Sequence, residues 1–213
     1  AYSTPHELKL IFRFDVTLKP CPNTRKLIFL QVETKVNQQY CLLVSDGCDF
    51  IIPMRTVEKL LENELVMNKP RILATLHRII EEERFQIRPD AIYELLSGLP
   101  DLVTILSDIQ VSDAFPADET YCASYALSYL IYKEDYIPDA TQLQIGYLDD
   151  LLVILLLLER ISISGRDRMA KFVVRGEPFQ AYMARALVQK EKLVPRTIYD
   201  QILTLLKPIL AKR

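Results

Sequence analysis

Eight apolar residues in succession, Leu151 to Leu158, are framed by Asp149-Asp150 on one side and Glu159-Arg160 on the other. This is the most apolar run in the chain, and its length limits what it can be. A bilayer-spanning helix needs roughly 20 apolar residues, and charges stop this run well short at both ends. By periodicity alone an uninterrupted run of this length fits a strand or a helix. The reading adopted is a helix that is apolar on every side and therefore buried. The alternative is a helix lying in or re-entering a membrane surface.

The rest of the chain can supply that burial. Its 213 residues suffice for one large or two small domains with a real core. Half are hydrophobic and only five are glycine, which argues against disorder and long flexible linkers. Cys21, Cys41, Cys48 and Cys122 show no C-x-x-C spacing, and only His6 and His77 could join them at a zinc site. They read as free thiols of a reducing cytoplasm, with a Cys41–Cys48 bridge as the alternative. Ala1 to Pro20 lacks the basic start and apolar core of a secretory leader. Charge is uneven: residues 1–160 carry 15 basic and 24 acidic side chains, residues 161–213 carry 11 and 4. The basic tail either packs beside the acidic segment or meets an anionic partner such as lipid headgroups or nucleic acid.

Along the chain, Leu8 to Leu18 alternates apolar and polar residues, as does Leu27 to Val36. Tyr40 to Val44 gives a third strand, and Ser45-Asp46-Gly47 turns it into Phe50-Ile51-Ile52. Short polar turns between strands favour an antiparallel meander. From Thr56 the period becomes helical, with Pro70, Pro89-Asp90 and Pro100-Asp101 marking successive starts. After Phe115-Pro116, helices are expected over 117–133, 146–163, 166–174, 178–192 and 195–211. The expected fold is α+β, a small N-terminal antiparallel sheet covered by helices followed by a C-terminal helical lobe. The expected domains are 1–112 and 113–213.

Ahead of the apolar run stand Asp135-Tyr136-Ile137-Pro138-Asp139 and Ile145-Gly146-Tyr147-Leu148-Asp149-Asp150-Leu151. Pro138 disfavours a helical Ile137 and so ends the preceding helix. Asp139 can accept from free backbone N–H groups of the loop, and Gly146 permits a sharp or close-packed turn into the next helix. Asp149 and Asp150 fall in the first turn, where carboxylates suit the positive helix end. Each acid thus has a structural role. With Asp135 and Asp139 they are also candidate hard-oxygen ligands for Mg²⁺ or Ca²⁺, although neighbouring carboxylates diverge by about 100° on a helix.

These two elements, in this order, resemble the YkvA-like family, in which a helix leads into D-x-I-P-D, a short loop, G-Y-x-D-D and an apolar helix. The resemblance covers about residues 121–162, its motif positions being Asp135, Pro138, Asp139, Gly146, Tyr147, Asp149 and Asp150. It departs from the family in Ala140 to Ile145, which lacks the proline often found there. The family has no established activity, so the resemblance brings little function with it beyond a link of many members with membranes. Tyr147-Leu148-Asp149-Asp150 is also similar to the Y-x-D-D box of reverse transcriptases, whose hairpin supports two-metal chemistry. The chain is short for that architecture, and the I-P-D element would be left without a role.

Other chemistry is sparse. Neither G-x-x-x-x-G-K-[ST] nor G-x-G-x-x-G occurs. Ser45, Asp46 and His77 could be arranged as a triad, but His77 stands at a helical position beside Leu76 and Ile79 and reads as packed or solvated. Arg166, Arg168, Lys171, Arg175 and Arg185 are the candidates for binding an anion or a partner. With few interleaved aromatics they do not favour nucleic acid. The expected function is a non-enzymatic adaptor or regulatory protein-interaction module in the cytoplasm, with no cofactor and a protein as partner. The alternatives are a metal-dependent hydrolase or nuclease built on the acidic cluster, and a peripheral protein docked on a membrane surface.

Overall fold

The computed structural model describes residues 10–15, 28–32, 40–45, 48–131 and 146–211, with side-chain surroundings from Glu58 onward. The chain divides into two compact units, Ala1–Val57 and Glu58–Arg213. In the first, β1 (Leu10–Asp15), β2 (Ile28–Val32), β3 (Tyr40–Ser45) and β4 (Cys48–Pro53) pair antiparallel in sequence order. The register runs through Leu42↔Ile51 and Ser45↔Cys48 at the β3–β4 end.

From Met54 the chain is helical. The elements are α1 (Met54–Met67), α2 (Lys69–Glu82), α3 (Pro89–Leu96), α4 (Leu99–Val111), α5 (Ala117–Ile131) and α6 (Gly146–Ser164). A short α7 (Arg166–Met169) leads to a hairpin of β5 (Val173–Val174) and β6 (Glu177–Pro178). Then come α8 (Phe179–Gln189), a 3₁₀ turn (Lys190–Lys192) and α9 (Arg196–Leu210). Prolines set several of the starts. Pro70, Pro89 and Pro100 stand in the first two positions of α2, α3 and α4, where a missing N–H costs nothing. Arg88 before Pro89 is extended, at ψ 138°, as a residue before proline prefers. At the other end of α2, Arg84 takes a positive φ of 55°, and Phe85 N–H closes onto Ile80 O at 3.0 Å.

Helix α6 is the axis of the second unit. Every residue from Leu148 to Leu158 is buried. Helices α3, α5, α7, α8 and α9 all pack against it. Each buried Leu or Ile contributes roughly 1.5–3 kcal/mol relative to an exposed one, so this helix holds the unit together. Amphipathic α9 adds Tyr199, Ile202, Leu206 and Ile209 to the core, and α4 adds Leu102, Val103, Ile105, Leu106 and Ile109.

The α+β expectation is therefore corrected: the described residues are mostly helical. Helices hold about four-fifths of the described residues from Met54 onward. Their apolar stripes are satisfied by one another around α6, so the core is helix on helix. The expected boundary at 112/113 falls inside the second unit, between α4 and α5, which pack against each other. The helix expected over 166–174 stops at Met169. Beyond it Lys171 to Arg175 alternates exposed and buried residues, the period of a strand. Among the described residues no helix is long and apolar enough to cross a membrane.

Candidate functional site

Asp149 and Asp150 lie in the N-terminal part of α6, and both are fully buried. Tyr129, near the end of α5, donates its hydroxyl to Asp149 Oδ2 at 2.9 Å. Tyr129, Tyr147, Asp149 and Asp150 are all engaged with partners. Gly146 is the first residue of α6 and half-buried Tyr147 the second. Asp135, Pro138 and Asp139 lie outside the described residues. Among those described, no group of three or more His, Cys, Asp or Glu side chains is placed to hold a metal ion. The Asp149 carboxylate thus stands near the positive end of a helix and takes a tyrosine hydroxyl across the α5–α6 pair.

The third buried acid is Glu119, in the first turn of α5. Its Oε1 accepts from Ser164 Oγ at 2.7 Å and from Arg168 Nη2 at 2.6 Å. One carboxylate therefore ties the start of α5 to the end of α6 and to α7. Beside it Arg160 reaches Asp118 at 3.5 Å. Cys122, one turn along α5, is a buried free thiol. Burial pushes its pKa up, partly offset by the Arg160 guanidinium. Ring contacts extend the cluster: the Arg168 guanidinium lies 5.5 Å from the Phe115 ring centre. Lys171 Nζ lies 5.0 Å from the ring centre of Phe172 and 5.9 Å from that of Phe115.

The five basic candidates separate into two groups. Arg168 is committed to Glu119, and Arg185 pairs with Glu177 and lies over the Tyr182 ring. Tyr182 is itself fixed, donating to Leu95 O at 2.6 Å, and burial raises its pKa. Arg166, Lys171 and Arg175 are exposed, and among the described residues none of the three forms an ion pair. They follow one another on the segment from α7 to the hairpin tip, where Ile163 and Val173 are exposed apolar neighbours in sequence. Arg175 forms the two-residue hairpin loop with Gly176. Their φ values are 52° and 79°, and the Arg175 backbone N–H donates to Asp101 Oδ2 at 2.7 Å. Positive φ at both loop positions is what a type I′ turn requires. His77 is exposed on α2, and Asp46, its imagined triad partner, lies outside the described residues.

Sequence reasoning missed Glu119, Ser164, Phe115 and Asp101 as organising residues. Asp118-Glu119 just after Phe115-Pro116 did mark acids at a helix start. Their partners lie more than forty positions away in sequence, as the Glu119–Ser164 pair shows, and no local pattern encodes that distance. No protein-family model, no curated protein and no solved structure matches this chain.

Proposed function

We propose that this chain is a non-enzymatic protein-interaction module, serving as an adaptor or regulator, with the exposed face of the α7–β5 segment as its contact surface. The observation that carries this reading is the burial of Asp149 and Asp150, with Asp149 holding Tyr129. A hydrolase would have to present such carboxylates to a metal and to a substrate phosphate. The same burial supports treating the G-Y-L-D-D resemblance to the YkvA-like family as a structural signature. The membrane reading needed an apolar central helix free to meet lipid, and Leu148 to Leu158 are enclosed by protein instead.

The test is a thermal melt of the chain and of Asp149→Asn, with and without millimolar Mg²⁺, Mn²⁺ or Ca²⁺. The proposal predicts that the variant melts lower by the same amount in all conditions. A metal bound at about 100 times its dissociation constant would stabilise by roughly 2.7 kcal/mol. A metal-specific upward shift of that size, lost in the variant, would replace this proposal with the metal-dependent hydrolase.

A further inference from the structure

The exposed cations fall on a patterned surface. From Lys171 to Arg175 exposure alternates: Lys171, Val173 and Arg175 face solvent while Phe172 and Val174 are buried. Only Val173 and Val174 are in strand, with Lys171 in the turn after α7 and Arg175 in the hairpin loop, so the two cations flank a short strand. In chain order the exposed residues read cation, apolar, cation, and Arg166 is a further exposed cation on α7.

Arg175 is the informative residue. The fold uses its backbone, through the positive φ and the N–H held by Asp101. Asparagine or glycine meets both needs with less strain, and Asn-Gly is the favoured type I′ pair. A guanidinium is held at the hairpin tip at a conformational cost, close enough to Tyr93 to oppose the rise that burial gives its hydroxyl pKa. Backbone strain at an exposed charged residue motivates a functional hypothesis.

Three cations are fewer than the roughly four to eight that mark an anionic lipid surface. The neighbouring rings of Phe115 and Phe172 are only 6% and 8% exposed, so they offer no platform for stacking bases. Carboxylates flanking an apolar side chain on an extended segment complement this order of cation, apolar residue and cation in charge. We propose that Lys171, Val173 and Arg175, assisted by Arg166, form a docking face for an acidic, extended protein segment that places an apolar side chain between two carboxylates. This inference rests on the interaction-module reading and names the partner's chemistry.

The test uses the whole chain and two fluorescein-labelled peptides of equal composition. One alternates glutamate with threonine around a central valine; the other has its glutamates contiguous. Anisotropy at low salt should show saturable binding of the alternating peptide, several-fold tighter than the contiguous one and weakened by added salt. Arg175→Asn should weaken it by about tenfold, the loss expected for one charge-assisted contact, while the melting temperature stays level or rises. No saturable binding of either peptide at low salt overturns the inference, as does binding that Arg175→Asn leaves unchanged. Binding to vesicles of phosphatidylserine and phosphatidylcholine that the variant abolishes, without peptide binding, overturns it in favour of a lipid surface. The metal-dependent melt above decides the underlying reading separately, so the two failures are distinguishable.

Discussion

Glu119 gives the sharpest energetic prediction. Its side chain is 3% exposed and accepts from both Ser164 and Arg168, whereas the Arg168 side chain is 34% exposed. Hydrogen bonds to a charged group contribute roughly 1.5–3 kcal/mol each, and orphaning a buried charge costs several kcal/mol. Here the guanidinium can recover water once its partner is gone, which places the pair at the lower end of that range. A double-mutant cycle of Glu119→Gln and Arg168→Met, followed in urea by the helical far-ultraviolet signal, should return a coupling energy of about 1.5–2 kcal/mol. Glu119→Ala, which also removes the Ser164 bond and leaves that hydroxyl only the Ile161 carbonyl at 3.2 Å, should cost about 3 kcal/mol. For a unit of this size that lowers the melting temperature by several degrees. A surface ion pair gives roughly 0.2–1 kcal/mol in the same experiment. Coupling below about 0.5 kcal/mol would refute the claim that Glu119 clamps α5 to α6 and α7.

Other predictions follow from the same geometry. Leu155→Ala, at a fully buried position of α6, should cost about 2–5 kcal/mol in urea unfolding, and a cost under 1 kcal/mol would contradict the central role of that helix. Gly98→Ala would place a methyl group 2.8 Å from the Tyr182 ring, which the hydroxyl bond to Leu95 O holds in place. The expected loss is about 1–3 kcal/mol in the same assay, whereas a neutral result would mean the ring moves freely. The Cys122 thiol, whose pKa burial raises above its usual 9.0, should be alkylated far more slowly in the native chain than in urea, as read by mass spectrometry of its peptide. Because its folded pKa lies above the unfolded one, its contribution to stability is complete below about pH 9 and declines as pH rises further. Alkylation at the unfolded rate would place the thiol at the surface.

Much of the helical unit was legible in the sequence because its signals are local. Pro70, Pro89 and Pro100 marked α2, α3 and α4, and the expected helix over 146–163 matches α6, Gly146–Ser164, within a residue. The uninterrupted apolar run required burial on all sides, and α6 has it. The fold class was not legible. Alternation in the first fifty residues shows which stretches are extended, but it does not say whether a sheet or another set of helices covers the helical faces. The β5–β6 hairpin was not legible, because Phe172, Val173 and Val174 follow a short helix and their apolar character fits its continuation equally well. The signal present was Gly176 after an alternating stretch, with Arg175 in the loop position where asparagine or glycine is usual. The basic tail was likewise only half readable. Its positive charge is visible in the sequence, but its division into committed Arg168 and Arg185 and exposed Arg166, Lys171 and Arg175 depends on partners far along the chain.

Acids are sealed inside the helical unit and cations are displayed outside it. Carboxyl labelling of the native chain with a water-soluble carbodiimide and a glycine amide, resolved residue by residue by mass spectrometry, tests that arrangement directly. Asp149 and Asp150 should stay unlabelled while the exposed carboxylates of Asp90 and Asp118 react, with no change on adding Mg²⁺ or Ca²⁺. Labelling of Asp149 and Asp150 at the rate of Asp118, with protection by either ion, would contradict it.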